Sequence, residues 1–311
     1  MELRYGILST SSIAPRFIAG VRESGKGKIV ALSSRALEKA KEKAALWNIP
    51  TAYGSHKELL QDENVNIVYI SNVNTAHYMW AKAALLAGKH VICEKPCTTT
   101  TEQTAELYDL AQKQGLFFME AQKMLFLPAV LEAKKQLINL GKITMVELSH
   151  SFPGSYNGWM FDKAAGGGPL LSSGIYATEL LIWLFGDIRS IQGTASKDEN
   201  DVEWQYILTG ETETGVLFSA KNSTRAVLDN TCRIFGENGF LELPNYWKAQ
   251  KLCIHADGQT QVLEFPCEYE LAYEADHIAQ CLEQGLLNSP VITKALSCAG
   301  IRALEIVKNH W

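Results

Sequence analysis

The sequence predicts an α/β fold in two domains, and three observations carry that expectation. Short apolar runs alternate strictly with helical segments up to Gln122. Those runs are continuous, as in Ile29-Val30-Ala31-Leu32 and Ile67-Val68-Tyr69-Ile70, which suits strands covered on both faces of a parallel sheet. Beyond Gln122 several strands follow one another with no helix between them, the order of a largely antiparallel sheet. Residues 1–122 are therefore expected as a doubly wound parallel sheet. Residues 123–311 are expected as an α+β domain with a large, mostly antiparallel sheet. At 311 residues the chain is long enough for each domain to bury its own core.

The first domain is justified element by element. Tyr5-Gly6-Ile7-Leu8 is a short apolar strand, followed by a turn of small residues, 9–12. Pro15 suits the first turn of a helix, where a missing N–H costs nothing, and Ile13, Phe17, Ile18 and Val21 share one helical face. Residues 28–33 form the second strand, 37–47 a helix rich in Ala and Lys, and 51–53 a third strand. Ser55 with Glu58 is a capping box that opens a short helix. Residues 67–70 are the fourth strand; the helix over 75–87 stops at Gly88, a suitable C-cap. Residues 90–93 are the fifth strand, a helix capped by Thr100 and Gln103 ends near Gly115, and 116–119 are the sixth strand. Six such strands match the Rossmann dinucleotide-binding fold, whose ligand lies at the carboxyl edge of the sheet.

In the second domain a helix covers 128–139 and a long strand 144–152. The stretch Gly166-Gly167-Gly168-Pro169 leads into a helix over 176–185. Strands are expected near 188–195, 203–209, 215–221, 231–235, 239–243, 251–255 and 261–265. Helices over 272–284 and 293–309 close the chain.

Composition excludes several function classes. Hydrophobic residues at 47% and charged residues at 20% describe a globular protein rather than a disordered one. A net charge of −5 gives neither nucleic acid nor an anionic membrane surface a general footing. No leader is expected ahead of the first strand, and no run of about 18 apolar residues reads as a membrane span. The seven cysteines include no Cys-x-x-Cys pair, and no histidine pair joins Cys93 and Cys97 at ligand spacing. Free thiols in a reducing cytoplasm are expected, with no metal.

The nucleotide turn departs from the usual G-x-G-x-x-G/A pattern. Ser9-Thr10-Ser11-Ser12-Ile13-Ala14 stands there, with serines at both leading glycine positions. On its own the stretch reads as a serine-rich N-cap. As a nucleotide site it offers hydroxyls and the free N–H groups of a helix N-terminus to phosphate. An NAD site carries an acidic residue at the end of the second strand; Ser33-Ser34-Arg35 stands here, with Lys39 a turn later. Arg35 reads as a partner for a 2′-phosphate, which favours NADP over NAD. Asn72, Asn74 and His77 follow the fourth strand on the same edge, facing the middle of a dinucleotide. His77 reads equally well as a packing or capping residue. Glu94-Lys95-Pro96 closes the fifth strand, placing a lysine and a carboxylate at the ligand edge.

With the sheet, the turn and Glu94-Lys95-Pro96 in this order, the chain resembles the glucose-fructose oxidoreductase / inositol dehydrogenase / rhizopine catabolism (Gfo/Idh/MocA) family. The resemblance runs through Tyr5-Gly6-Ile7-Leu8, Ala52-Tyr53-Gly54-Ser55, residues 87–96 and residues 167–176. It is closest to the dimeric dihydrodiol dehydrogenase / D-xylose:NADP dehydrogenase branch. It implies an NADP-linked oxidoreductase of a sugar or related alcohol, and a homodimer formed through the open face of the C-terminal sheet. Lys95 matches the lysine that contacts the reacting oxygen and the nicotinamide ribose. Pro96 matches a proline often held cis. Tyr176 stands where members carry a catalytic histidine or tyrosine. Ser172 stands where members carry an aspartate.

Hydride transfer needs a group to take the hydroxyl proton. A phenol titrates near pH 10, and a neighbouring ammonium lowers that by favouring phenolate. Tyr176 is thus assigned as acid/base, Lys95 as its activating cation and substrate anchor, and Glu94 as the group that holds Lys95. Tyr156, Trp159, Met160 and Phe161 offer flat faces to a sugar ring or close a core; Trp159 is the chosen substrate contact. Met124 and Phe126 read equally as substrate or core residues. Two functions are carried forward: an NADP-dependent dehydrogenase of a sugar, polyol or dihydrodiol, and a catalytically silent NADP- or sugar-sensing protein on the same scaffold. Ser172 and the serine turn favour the second, Lys95 and Tyr176 the first.

Overall fold

The computed structural model describes residues 2–154 and 158–311. Six strands form one parallel sheet among the described residues: β1 (Leu3–Leu8), β2 (Gly27–Ser33), β3 (Thr51–Tyr53), β4 (Ile67–Ile70), β5 (His90–Glu94) and β6 (Phe118–Ala121). Their order is β3-β2-β1-β4-β5-β6, the doubly wound arrangement expected from the strict alternation. The helices between them are α1 (Ala14–Ser24), α2 (Leu37–Leu46), α3 (His56–Gln61), α4 (His77–Leu86) and α5 (Thr101–Gln114). All residues of β4 and β6 are buried, as strands covered on both faces must be.

Register positions the ligand edge. Leu8 pairs with Ser33 on one side and Ile70 on the other, Ile70 pairs with Cys93, and Glu94 pairs with Ala121. The chain therefore leaves four neighbouring strands in one row, at Ser9, Ser34, Ser71 and Lys95.

The second sheet has eight strands: β7 (Ile143–Ser151), β8 (Ile188–Lys197), β9 (Glu203–Thr212), β10 (Leu217–Ser223), β11 (Thr231–Gly236), β12 (Gly239–Pro244), β13 (Lys251–Ala256) and β14 (Gln259–Glu264). The order is β14-β13-β12-β11-β7-β10-β9-β8, antiparallel except where β10 runs parallel to β7. The remaining helices are α6 (Pro128–Gln136), α7 (Ile175–Phe185), α8 (Leu271–Glu283) and α9 (Lys294–Lys308). One face of the second sheet carries the core: Val146, Leu148, Tyr206, Leu208, Ala220, Ile234 and Leu241 are buried. On the other face the paired residues Met145 and Leu217 are exposed, as is Ile207, which pairs with Lys221.

By internal contacts the chain divides into two units. Met1–Thr98, Glu102–Gln122 and Tyr269–Lys294 make the first; Thr99–Thr101, Lys123–Glu268 and Ala295–Trp311 make the second. The first unit thus takes in Tyr269–Lys294 together with the parallel sheet. Helix α8 lies against α1, where Gly20 lets the backbones meet: a Cβ there would stand 2.7 Å from the Leu271 carbonyl carbon. An Arg16–Glu270 ion pair flanks the contact, and the Phe118 N–H donates to the Leu287 carbonyl beyond it. Helical periodicity shows that α8 has an apolar face, not which neighbour will cover it.

Other departures are local. The helix expected over 75–87 begins as a 3-10 turn, Asn74–Ala76, before α4. A π-helical turn, Leu170–Gly174, precedes α7. The sequence suggests no membrane-length run, yet Lys163–Phe185 is long and apolar enough to cross a bilayer. Of its apolar window 78% is buried inside the fold, so it has the burial of a core helix. Its small residues disguise the run at sequence level. The fragments Gly166–Pro169 are shaped by packing: Gly168 has φ +103°, and a Cβ there would collide with the Glu203 carboxylate. That carboxylate accepts a hydrogen bond from the Leu170 N–H at 3.0 Å and so fixes the start of the π turn.

Candidate active site

The edge of the first sheet holds most of the cofactor candidates. Ser9 takes φ 118°, the left-handed region where the fingerprint glycine normally sits. A serine bears that conformation at a cost of about 1–2 kcal/mol, and its own N–H donates to the Ser33 carbonyl. Ser11 donates its hydroxyl to Ser71 Oγ at 2.8 Å, tying the turn to the end of β4. Thr10, Ser12 and Ile13 complete the turn, and no side chain caps the N-terminus of α1. That leaves the positive end of the helix to an incoming anion.

Ser34 is buried, with its N–H on the Tyr53 carbonyl, while Arg35 and Lys39 are exposed. Among the described residues neither cation has a carboxylate partner or a hydrogen bond. His56 lies behind them. Its Nδ1 is 2.7 Å from Ser33 Oγ and its Nε2 3.1 Å from Asn72 Nδ2. With Asn72 donating to Nε2, the proton is assigned to Nδ1. Burial first, then the Arg35 charge, push His56 down to about 4, so the ring is neutral. Asn72 Oδ1 is buried with no hydrogen-bond partner among the described residues. It is an acceptor at the ligand edge, and a nucleotide hydroxyl or amide would satisfy it. The positive φ of Ser9, the uncapped helix, two unpaired cations and this orphan acceptor together fit a dinucleotide.

Two of the candidate residues brace the backbone at this edge. His77 is 1% exposed, with Nδ1 2.8 Å from the Pro96 carbonyl and Nε2 3.0 Å from the Asn72 carbonyl. Both partners are acceptors, so both ring nitrogens donate and the ring is an imidazolium. Burial opposes that charge, but the Cys93 thiol beside it and the two carbonyls raise His77 above its ordinary value. Glu94 is likewise buried: one oxygen accepts from the Tyr69 hydroxyl, the other from the Lys95 N–H at 3.2 Å. It holds the Lys95 backbone, and the Lys95–Pro96 bond is cis, as the resemblance implies. The Cys97 N–H donates to Glu120 Oε1 at 2.7 Å, so carboxylates hold the turn on both sides of the proline. Asn74 is buried in the 3-10 turn. Lys95 itself is half-buried.

The second unit carries Tyr176 near the start of α7, only 7% exposed. Lys123 Nζ lies 5.8 Å from the centroid of its ring, and the His150 ring lies 6.2 Å from it. His150 in turn packs on Trp247 at 3.6 Å and on Phe152 at 4.1 Å. The phenol thus stands in an aromatic cluster with a buried lysine. Sequence reasoning misses Lys123, His150, Phe152 and Trp247, and on the first unit His56 and Ser71. Lys123 was open to discovery, since it follows β6 at the same edge as Lys95 follows β5. The others need tertiary pairing. Ser172 does not present a free hydroxyl: Oγ donates back to the Gly168 carbonyl at 2.8 Å. Trp159 is half-buried in a 3-10 turn, Gly158–Phe161, that also holds Met160. Met124 and Phe126 are buried core residues, and Tyr156 lies outside the described residues. Among the described residues no group of three or more potential metal ligands assembles.

Residues 3–122 match the family model for an oxidoreductase family with an NAD-binding Rossmann fold, and residues 133–242 match the GFO/IDH/MocA C-terminal domain. A mouse (Mus musculus) trans-1,2-dihydrobenzene-1,2-diol dehydrogenase is 31% identical over 96% of this chain and 93% of its own. The chain belongs to the GFO/IDH/MocA oxidoreductase family. Another relative, the pig (Sus scrofa) trans-1,2-dihydrobenzene-1,2-diol dehydrogenase, is 32% identical over 99% of this chain and 97% of its own. Among solved structures, a 3-ketoreductase from Actinomadura kijaniata in complex with NADP and TDP-benzene superposes with a TM-score of 0.91. It is 22% identical and covers 99% of this chain and 98% of its own. A levoglucosan dehydrogenase in complex with NADH and levoglucosan gives 0.90 at 19% identity, covering 99% and 97%. By family the chain is an NAD(P)-linked dehydrogenase, and the fold of these GFO/IDH/MocA structures is its fold.

The neutral buried imidazoles have a measurable consequence. His277, on Ser289 Oγ at 2.7 Å, is pushed down to about 4 by burial, as His56 is by burial and Arg35. From pH 6.5 down to about 4 the unfolded chain binds more protons than the folded one, so this stability is full above 6.5 and lost through 4. The thermal midpoint should fall steadily across that window, and His56→Gln should make the slope shallower. An identical slope in wild type and variant would contradict the assignment.

Proposed function

We propose that the protein is an NADP-dependent dehydrogenase of a cyclic alcohol, a sugar, polyol or dihydrodiol, working as a cytoplasmic homodimer. The observation that carries this reading is the held lysine: Lys95 leaves β5 with its N–H fixed by Glu94 and the next peptide fixed by His77. A bound nicotinamide nucleotide supplies the hydride acceptor or donor. Lys95 donates a hydrogen bond to the reacting oxygen, and Tyr176 takes its proton during oxidation and returns it during reduction. Phe152, half-buried beside His150 and Trp247, offers a flat face to a ring-shaped substrate, the kind of surface on which sugar and diene faces stack. The dihydrodiol dehydrogenase relatives and the levoglucosan and 3-keto-sugar enzymes of the same fold support that substrate class.

Selection of NADP rests on Arg35 and Lys39, exposed cations where an NAD site carries a carboxylate. Arg35→Ala should raise the dissociation constant for NADPH about 10- to 100-fold, the size of a charge-assisted hydrogen bond, with little change for NADH. Nicotinamide fluorescence titration reads both; equal losses for the two nucleotides would remove the selectivity argument.

The Ser172 hydroxyl, bonded to Gly168 in place of the family's aspartate, favours the second reading, a silent nucleotide or sugar sensor. A turnover screen with NADP across pentoses, hexoses, inositols and dihydrodiols separates the two. The enzyme reading expects activity that Tyr176→Phe and Lys95→Met each reduce about 10²- to 10⁴-fold with NADPH binding kept. Tight NADPH binding with no turnover on any class would establish the sensor.

Dimerisation is assigned to the exposed face of the second sheet. The strand register puts Met145, Leu217 and Ile207 on that face, 42%, 53% and 58% exposed. Leu217→Lys combined with Ile207→Lys should sediment as a monomer under conditions where the wild type is a dimer. A wild-type monomer would refute the assignment.

A further inference from the structure

We infer that Lys123 is an electrostatic positioning residue for Tyr176, the cation that makes this phenol an effective proton acceptor. The inference rests on the acid/base role proposed above for Tyr176 and assigns its activation to a residue of the same structural unit. Sequence alone gives that task to Lys95.

Lys123 begins the 3-10 turn Lys123–Phe126 and is 5% exposed, although lysines are almost always solvated. Its Nζ lies 5.8 Å from the Tyr176 ring centroid. Tyr176 is itself buried, so little water separates or screens the two. A cation beside a phenol acts twice. It is attracted to the neutral ring through the quadrupole, and far more to the phenolate, whose negative charge spreads over the ring. The difference between the two attractions lowers the phenol's titration midpoint. At an effective dielectric constant near 20, a unit charge at this range shifts it by about 1 to 2 units.

Other groups surround Tyr176 as well. His150 faces it from β7, packed against Trp247 and Phe152. Tyr246, from the 3-10 turn Tyr246–Lys248, is a buried phenol held well above its ordinary value by burial, so it stays neutral. Tyr206 approaches from β9, where its hydroxyl would lie 3.0 Å from a Cβ at Gly174. Glu179, one turn further along α7, packs against Gly300, and its negative charge would oppose the phenolate. Lys248 lies over Trp247, with its Nζ 6.0 Å from that ring. Lys123 Nζ stands against the Tyr176 ring itself.

This division separates two functions commonly placed on one lysine. Lys95 is left to hold the reacting oxygen, and Lys123 sets the protonation of the residue that takes the proton. Loss of Lys123 should therefore move a pH profile rather than abolish binding.

The test uses the full-length protein labelled with tyrosine carrying ¹³C at Cζ, titrated without substrate or nucleotide. The Tyr176 resonance is identified by its absence in Tyr176→Phe. Burial raises a phenol's midpoint, so in the wild type it should titrate below Tyr246, the buried phenol beside it, whose resonance is identified the same way in Tyr246→Phe. In Lys123→Gln the midpoint should rise by about 1 to 2 units, and Lys123→Arg should restore it. The alkaline limb of the turnover profile should move in the same direction. A wild-type midpoint at or above that of Tyr246 overturns the inference whether or not the glutamine variant folds. An unchanged midpoint in a folded Lys123→Gln protein does the same. Full turnover in Tyr176→Phe would instead refute the acid/base reading, and the substrate-free titration would still report on Lys123.

Discussion

The imidazole of His77 is the interaction on which the ligand edge depends. It bridges the carbonyl oxygens of Asn72, just past β4, and Pro96, just past β5. Two acceptors on one ring require two donors, so the ring carries charge while buried. Burying an isolated charge is expensive, and beside the ring the Cys93 thiol, against the effect of burial, is drawn below its ordinary value by its hydrogen bond to Cys97 and then by His77. Removing the brace would release two strand ends at once. Lys95 would lose its fixed direction, and Asn72 its place beside His56.

Charge around both candidate centres is arranged by one rule. The carboxylates are committed to backbone N–H groups: Glu94 to Lys95, Glu120 to Cys97, and Glu203 to Leu170. Removing such an acceptor would leave an N–H group unsatisfied, which costs about 1–3 kcal/mol where it is buried. The cations Arg35 and Lys39 are exposed, and Lys123 stands by a phenol. A protein with a net charge of −5 thereby keeps exposed positive charge past the end of β2.

Much of this was legible in the sequence. Strand and helix order followed from apolar periodicity, because a parallel sheet demands continuous apolar strands and an antiparallel one does not. The Lys95 turn was readable because a strand end and a proline mark it. What escaped needed pairing across the fold. His77 has the same sequence neighbours whether it faces a ligand or a carbonyl, and only the approach of Pro96 decides. His56 gains its role from Ser33 and Asn72, which are distant in sequence. Gly168 reads in sequence only as part of a glycine-rich lead into a helix; its φ and the Glu203 carboxylate make it a packing requirement. Helix α8 carried an apolar face with no address, and Gly20 on α1 supplied it.

The return of Tyr269–Lys294 to the first unit sets an order of events during synthesis. The parallel sheet and its nucleotide edge are complete in sequence by Gln122, yet the face of α1 around Gly20 waits for Leu271. At about 5–20 residues per second, the ribosome takes several seconds to make the intervening chain. Through that interval Gly20 and its neighbours face solvent, and the first unit is an unfinished body. The nucleotide-binding unit is therefore completed only after the second sheet has been made, so the two units cannot be matured one after the other.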